Sequence, residues 1–119
     1  MKSAATLMTY LIGVFHIGFM ILESFLWTKP LGLKVFGMKP EMALATKVLA
    51  QNQGLYNGFL AAGLFWGAFS GDIKISVFFL SCVVIAGIVG GMTASLNIIF
   101  VQALPAVVAL ILVFFANKS

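Results

Sequence analysis

The sequence predicts an all-α integral membrane protein, a bundle of four transmembrane helices that forms a single domain over residues 1–119. Apolar residues make up 62% of the chain and charged residues only 8%, and the mean hydropathy is +1.14. Soluble domains are only about half apolar, so a chain of this size could not shield so much apolar surface from water. Most of its surface must therefore face lipid, and four stretches are long enough to cross a bilayer.

The first predicted transmembrane stretch covers residues 4–27. A helix rises about 1.5 Å per residue, so this stretch can cross about 30 Å of hydrocarbon. A signal peptide is the alternative, because Lys2 precedes the apolar run. The stretch is too long for one and has no A-x-A cleavage site before Trp27. We therefore expect it to be retained as the first helix.

The second predicted helix follows a loop at the membrane surface, TKPLGLKVFGMKP, which contains two prolines and two glycines. Pro40 suits the first turn of a helix, and Glu41 suits the positive end of its dipole. The chain then has no proline until Pro105. These signals predict one continuous helix over residues 41–69, longer than a bilayer requires.

The third and fourth predicted helices cover residues 73–94 and 97–116. The turn SGD separates the second helix from the third. Within the fourth helix, Pro105 removes the hydrogen bond to the Val101 carbonyl, so we expect a bend there. Four spans would place both termini and the Gly71 turn on one side of the membrane.

The charges and the cysteine content exclude several classes of function. Four of the seven lysines lie in or near the first loop, which weakly favours that side as cytoplasmic in a bacterial cytoplasmic membrane. No basic stripe interleaved with aromatic residues is present, so we expect no nucleic-acid partner. With Cys82 as the single cysteine and His16 as the single histidine, neither a disulfide nor a metal site is expected. No motif indicates a cofactor.

The polar residues of the predicted helices gather at one end of the bundle. In an antiparallel hairpin, the run QNQGLYNG at residues 51–58 lies near the first loop, as do the residues at the end of the first helix. The fourth helix begins on the same side. The predicted ligand-binding residues are Glu23, Trp27, Asn52, Gln53, Tyr56, Asn57 and Gln102, with His16 beside them. They indicate a polar pocket open to one leaflet.

Helical phase divides the second helix into two neighbouring faces. Gln53, Tyr56 and Asn57 share one face at about 100° per residue. Gly54 and Gly58 form an adjacent ridge with the G-x-x-x-G spacing that allows membrane helices to approach closely. The phase therefore predicts polar groups beside a close helix contact.

Glu23 and His16 each allow two interpretations. Glu23 either extends to the headgroups or bonds an amide that holds helices together, or it is the acceptor or acid–base group of a pocket. His16 lies two turns deeper, about 10 Å along the axis. It is either an interhelical hydrogen-bonding residue or part of a proton relay or catalytic site. Glu23 and His16 are thus the candidate catalytic residues.

Three classes of function remain open. The leading hypothesis is that the protein binds a small amphipathic or lipid-like molecule. The alternatives are a small membrane enzyme that uses Glu23 and His16 for acid–base chemistry, and a structural or accessory protein without a ligand. A transporter or channel would need polar residues across both leaflets, and the apolar opposite half of the predicted bundle argues against it. One protomer encloses little volume, so a homo-oligomer, a trimer or a dimer, is expected among membrane lipids.

Four stretches of the chain carry a resemblance to a known family: FHIGFMILESFLW, P-x-G-x-K-V-F-G, ATKVLAQNQGLYNGFLAAGLFWG and VQALPA. They resemble the small four-span bacterial membrane proteins catalogued as a domain of unknown function, number 1304. The resemblance covers nearly the whole chain. It implies four helices and brings no established activity.

The stretch LAQNQGLYNG is also loosely similar to the polar second helix of the membrane-associated eicosanoid and glutathione proteins. Those proteins have four spans, form trimers and place polar residues of that helix at a subunit interface. Their sites use arginine for glutathione, and this chain has none. Lysine does not replace a bidentate guanidinium, so the similarity implies a shared architecture and leaves glutathione chemistry in doubt.

Overall fold

The computed structural model describes residues 2–93 and 96–118. Every element within these residues is helical, which confirms the predicted all-α class. The elements in chain order are α1 (Lys2–Ser24), α2 (Pro30–Phe36), α3 (Pro40–Ala45), α4 (Lys47–Ser70), α5 (Ile73–Thr93), a π-helical turn (Ile99–Ala103) and α6 (Leu104–Lys118). Ala94, where the third helix was predicted to end, lies outside the described residues.

The chain divides into two compact units. The terminal unit comprises Met1–Gly13 and Ala62–Ser119, and the central unit comprises Val14–Ala61. The boundaries fall inside α1 and α4, so each of these helices contributes to both units. The central unit also contains α2 and α3, whereas α5, the π turn and α6 belong to the terminal unit.

Three helical segments among the described residues are long and apolar enough to cross a membrane: Lys2–Ser24, Ile73–Thr93 and Ile99–Ala116. Only 28% of the apolar window of each segment is buried within the chain, so most of its side chains face outwards. These helices are compatible with a multi-pass membrane protein. Helix α4 has 24 residues but is not among them, because its carboxamides lower its hydropathy.

Helix α1 ends three residues earlier than the predicted stretch. The Phe25 and Leu26 N–H groups both donate to the Ile21 carbonyl, at 3.0 and 3.2 Å, and the chain then turns. Lys29 is extended, with φ −86° and ψ 162°, as expected for a residue that precedes a proline. Trp27 therefore lies in a turn and not in the last turn of α1.

The predicted surface loop contains two short helices, α2 and α3. Pro30 and Pro40 each occupy the start of a helix, where the fixed proline φ is already helical and no N–H is needed. Gly37 ends α2 in the left-handed conformation, with φ +62°, which glycine adopts without steric cost. Pro40 begins a helix as predicted, whereas Pro30 and Gly37, taken as signs of a loop, begin and end another helix.

The continuous helix predicted over residues 41–69 is interrupted at Thr46. This residue has φ −107° and ψ 10°, and its hydroxyl donates to the Met42 carbonyl at 2.8 Å. The same oxygen accepts a hydrogen bond of 3.0 Å from the Trp27 indole N–H. These two bonds hold Thr46 out of regular helical geometry, so α3 and α4 are separate elements.

In the terminal unit, α5 packs against the π turn and α6. The Leu104 N–H donates to the Ile99 carbonyl, five residues back. Pro105 has no N–H to offer the Val101 carbonyl, so the regular α-helical pattern cannot continue through this segment. The irregularity that the proline predicts takes the form of a π-helical turn.

The close packing of α5 on the π turn depends on a glycine. A methyl group added at Gly87 would lie 2.7 Å from the Ala103 backbone nitrogen and 2.8 Å from its Cβ. Such a contact forces backbone movement. Gly18, in contrast, has no atom within 4 Å of an added methyl group.

We expect Gly87→Ala to lower the free energy of unfolding by about 1–3 kcal/mol through overpacking. Gly18→Ala is the matched control, and it should leave stability unchanged or raise it by up to about 1 kcal/mol through helix propensity. Thermal unfolding in mild detergent, followed by circular dichroism, measures both. Equal shifts in Tm for the two variants would contradict the contact.

We expect Thr46→Val to lower stability by about 1 kcal/mol, because the Trp27 indole N–H loses its acceptor. Quenching of Trp27 fluorescence by acrylamide in a Trp66→Phe background should increase. Thr28→Val is the control, since the Thr28 hydroxyl makes no hydrogen bond within the described residues. If Trp27 stays equally protected in both variants, the indole bond does not hold the turn.

Candidate functional site

A carboxylate and a carboxamide from two helices meet in the central unit. Glu23 is the penultimate residue of α1, and Asn57 lies near the middle of α4. The Asn57 Nδ2 donates a short hydrogen bond to Glu23 Oε1. Asn57 is only 6% exposed, whereas Glu23 is half-buried. The structure thus joins two of the predicted site residues and leaves one of them partly accessible.

This pair forms because α1 and α4 approach closely at Gly54. A methyl group at Gly54 would overlap Ser24 Oγ and would lie 3.1 Å from both the Met20 carbonyl oxygen and the Ser24 nitrogen. At Gly58 it would lie 2.9 Å from Met20 Sδ. The predicted G-x-x-x-G ridge is therefore the face of α4 that contacts α1. The short approach allows the short asparagine side chain to reach the carboxylate.

The buried face of α4 in the central unit carries Ala50, Gly54, Asn57 and Ala61. Asn57 therefore lies on the same face as the glycine ridge. Gln53, Tyr56 and Asn52 are exposed, Tyr56 at 57%. Helical phase grouped Gln53 and Tyr56 with Asn57. In the structure only Asn57 is buried at the contact with α1, and the other two side chains are exposed.

Trp27 is half-buried in the turn after α1. Its ring lies 4.8 Å from the Phe36 ring, between centroids, and its N–H donates to Thr46. Thr46 was not among the predicted site residues. A buried indole N–H usually finds an acceptor, so the need for a partner was readable from the sequence, although the identity of that partner was not.

The two remaining predicted residues lie in different units. His16 belongs to the central unit and is 1% exposed, with its ring edge-on to Phe19 at 5.3 Å between centroids. Gln102 is half-buried in the π turn of the terminal unit. The described contacts of the Glu23–Asn57 pair include neither of them.

The Glu23 carboxylate has no ion pair among the described residues, and its one hydrogen bond there is from Asn57. Glu23 Oε2 and Asn57 Oδ1 receive no donor from the described residues. An ionised carboxylate at a membrane-embedded position is costly unless it is paired or hydrated. The pair therefore presents hydrogen-bond acceptors that a donor group could satisfy.

Sequence comparison places the chain in a family. The profile of the family described as "Protein of unknown function (DUF1304)" matches residues 10–114. The chain is similar to "Uncharacterized protein YpaA" of Lactococcus lactis subsp. lactis (strain IL1403), with 30% identity over 113 residues, which is 92% of this chain and 95% of that protein. No solved structure matches the chain, so the likeness to the eicosanoid and glutathione proteins stays an expectation. The chain belongs to the DUF1304 family.

Proposed function

We propose that the protein is a membrane protein of four transmembrane helices that binds a small amphipathic or lipid-like molecule beside Glu23 and Asn57. The observation that carries this proposal is the geometry of the pair. A half-buried carboxylate in an apolar helix has one amide partner and no cation among the described residues. A bound headgroup would supply the missing donors.

The proposed fourth span is α4. Its 24 residues extend about 36 Å, which is enough to cross the hydrocarbon layer. Leu55, Phe59, Trp66 and Phe69 are exposed along it, as expected for a helix that faces lipid. Its low hydropathy comes from the carboxamides, of which Asn57 is turned towards α1. The remaining carboxamides lie in its first two turns, close to the membrane surface in this arrangement.

The chemistry of the pair selects the headgroup. Because Asn57 Nδ2 already donates to Glu23, Oε2 and Asn57 Oδ1 are acceptors. They suit an ammonium or a hydroxyl group better than an anion. Phe25, in the turn after α1, and Phe59, in α4, are exposed and lie two residues from Glu23 and Asn57 in the sequence. Such side chains suit an apolar tail. Glu23 lies near the end of α1, so entry from one leaflet is the expected route.

A structural or accessory role is the second candidate, and the burial of Asn57 favours it. The same hydrogen bond can hold α1 and α4 together without any ligand. Interhelical bonds of this type contribute about 0.6 kcal/mol on average. The enzyme alternative would place proton transfer on Glu23 or His16, and it stays a prediction.

The proposal includes an oligomer in a bacterial cytoplasmic membrane. Most of each apolar window is unburied within one chain, since the buried share is 28%. The exposed apolar side chains can contact either lipid or a second copy of the chain. A dimer or trimer would bury part of this surface and enclose more volume around the site.

We expect wild-type protein in phosphatidylcholine nanodiscs to bind decylamine and decanol saturably. Glu23→Gln removes the charged acceptor, so it should weaken decylamine binding by about tenfold or more. Isothermal titration calorimetry against empty nanodiscs measures the affinities. Glu41→Gln, which changes the other glutamate, is the matched control and should bind as the wild type does.

Equal binding of decylamine and decanol by wild type and Glu23→Gln, with unchanged thermal stability, would contradict the ligand site. A loss of turnover in Glu23→Gln for a substrate that still binds would instead favour the enzyme alternative.

We expect Asn57→Ala to lower the free energy of unfolding by about 1–2 kcal/mol, because the Glu23 carboxylate loses its buried donor. Asn52→Ala, on the exposed side of the same helix, should change it by less than about 0.5 kcal/mol. Chemical unfolding in detergent measures both. Similar values for the two variants would show that the pair does not hold α1 and α4 together.

A further inference from the structure

A cavity with a volume of about 350 Å³ lies within the terminal unit. Residues from α1, α4, α5 and α6 line it, together with the Gly71 turn. Its volume falls at the lower end of the range of about 300–1,000 Å³ for small-molecule pockets. It is therefore large enough for a small ligand with one short chain.

The polar lining of this cavity favours an anion. Lys2 lines it and is exposed, and no described aspartate or glutamate lines it. Thr6 adds a hydroxyl group at the exposed part of the lining. Among the described residues, the cavity thus has a positive charge without a compensating carboxylate in its lining.

Ser76 supplies an independent sign of a ligand. Its side chain is 6% exposed, it lines the cavity, and its hydroxyl makes no hydrogen bond within the described residues. The Thr9 hydroxyl, in contrast, already donates a hydrogen bond of 2.8 Å to the Ala5 carbonyl. The Ser76 residue is buried, but its Oγ is not an enclosed atom, so it is accessible from the cavity. Ser76 is therefore a donor available to a molecule in the cavity.

The rest of the lining is apolar and small. Ala5, Ala68, Val113 and Ala116 contribute short side chains from three helices, and these short side chains leave the space open. Lys2 begins α1 and Gly71 follows α4, so the cavity reaches the ends of these helices. A ligand can thus place a charged head at Lys2 and a short chain against the alanines.

We propose that this cavity is a binding site for a small amphiphile with an anionic headgroup, a carboxylate or a phosphate. The Lys2 ammonium pairs with the anion, and the Ser76 hydroxyl donates a hydrogen bond to an oxygen of the ligand. The apolar chain contacts Ala68 and Val113. The site uses residues of the terminal unit only, so it is independent of the function proposed for Glu23 and Asn57.

The test uses the full chain in phosphatidylcholine nanodiscs with octanoate, octyl phosphate, octanol and octylamine as probes. Isothermal titration calorimetry against empty nanodiscs should show saturable binding of both anions. Octanol and octylamine should bind at least about tenfold more weakly at this site, because a charge-assisted hydrogen bond contributes about that factor.

Three variants assign the anion to the cavity. Lys2→Gln should weaken octanoate binding about tenfold, and Ser76→Ala should weaken it about threefold or more. Ala68→Leu fills the cavity and should abolish binding. Lys74→Gln and Ala62→Leu, which change residues outside the lining on α5 and α4, are the matched controls and should bind octanoate as the wild type does.

The proposal is overturned if octylamine binds as tightly as octanoate to a Glu23→Gln variant, which lacks the charged acceptor of the other proposed site. It is also overturned if Lys2→Gln, Ser76→Ala and a folded Ala68→Leu variant all retain wild-type affinity for octanoate. Thermal unfolding of each variant establishes that it is folded. Phosphatidylglycerol in the nanodiscs separates two sources of the anion. If phosphatidylglycerol competes with octanoate, the site binds a bilayer lipid headgroup. If it does not compete, the site binds a free amphiphile. Either result supports anion recognition.

Discussion

The close approach of α1 and α4 at Gly54 is the constraint on which the central unit depends. Because an added methyl group would overlap Ser24, only glycine allows this separation. The short approach lets Asn57 donate to Glu23 and turns the glycine face of α4 inwards. In a membrane, lipid offers no hydrophobic force between helices, so there close backbone contact and interhelical hydrogen bonds would supply the attraction. At this contact, Gly54 and the hydrogen-bonding Asn57 lie on the same face of α4.

Glycines also allow close helix contacts in the terminal unit, but there a cavity lies beside these contacts. Gly67 lies against Ser76, whose Oγ would be 2.5 Å from an added methyl group, and Gly87 lies against Ala103. Small residues bring α4, α5 and the π turn together, yet the alanines of the lining leave a cavity of about 350 Å³. Small side chains therefore serve both close contact and open space. The outcome depends on which atoms the neighbouring helix presents.

The irregular positions of the backbone follow from polar or cyclic side chains. Pro105 denies the Val101 carbonyl its donor, and the chain responds with a π-helical turn. Thr46 leaves regular geometry while it bonds both Met42 and Trp27. The first of these effects is local and can be anticipated from one residue. The second needs a partner nineteen positions away, so local rules do not anticipate it.

The sequence by itself determined the all-α class, the apolar character of the spans and the family, because composition, segment length and motifs are properties of the chain. It also indicated the G-x-x-x-G ridge and the disturbance at Pro105. Only the tertiary structure decided that Asn57 lies inwards with the glycines while Gln53 and Tyr56 are exposed, that α1 ends at Ser24, and that Ser76 lines a cavity. Helical phase fixes the angles between side chains, but the face that is buried depends on the neighbouring helix and its distance.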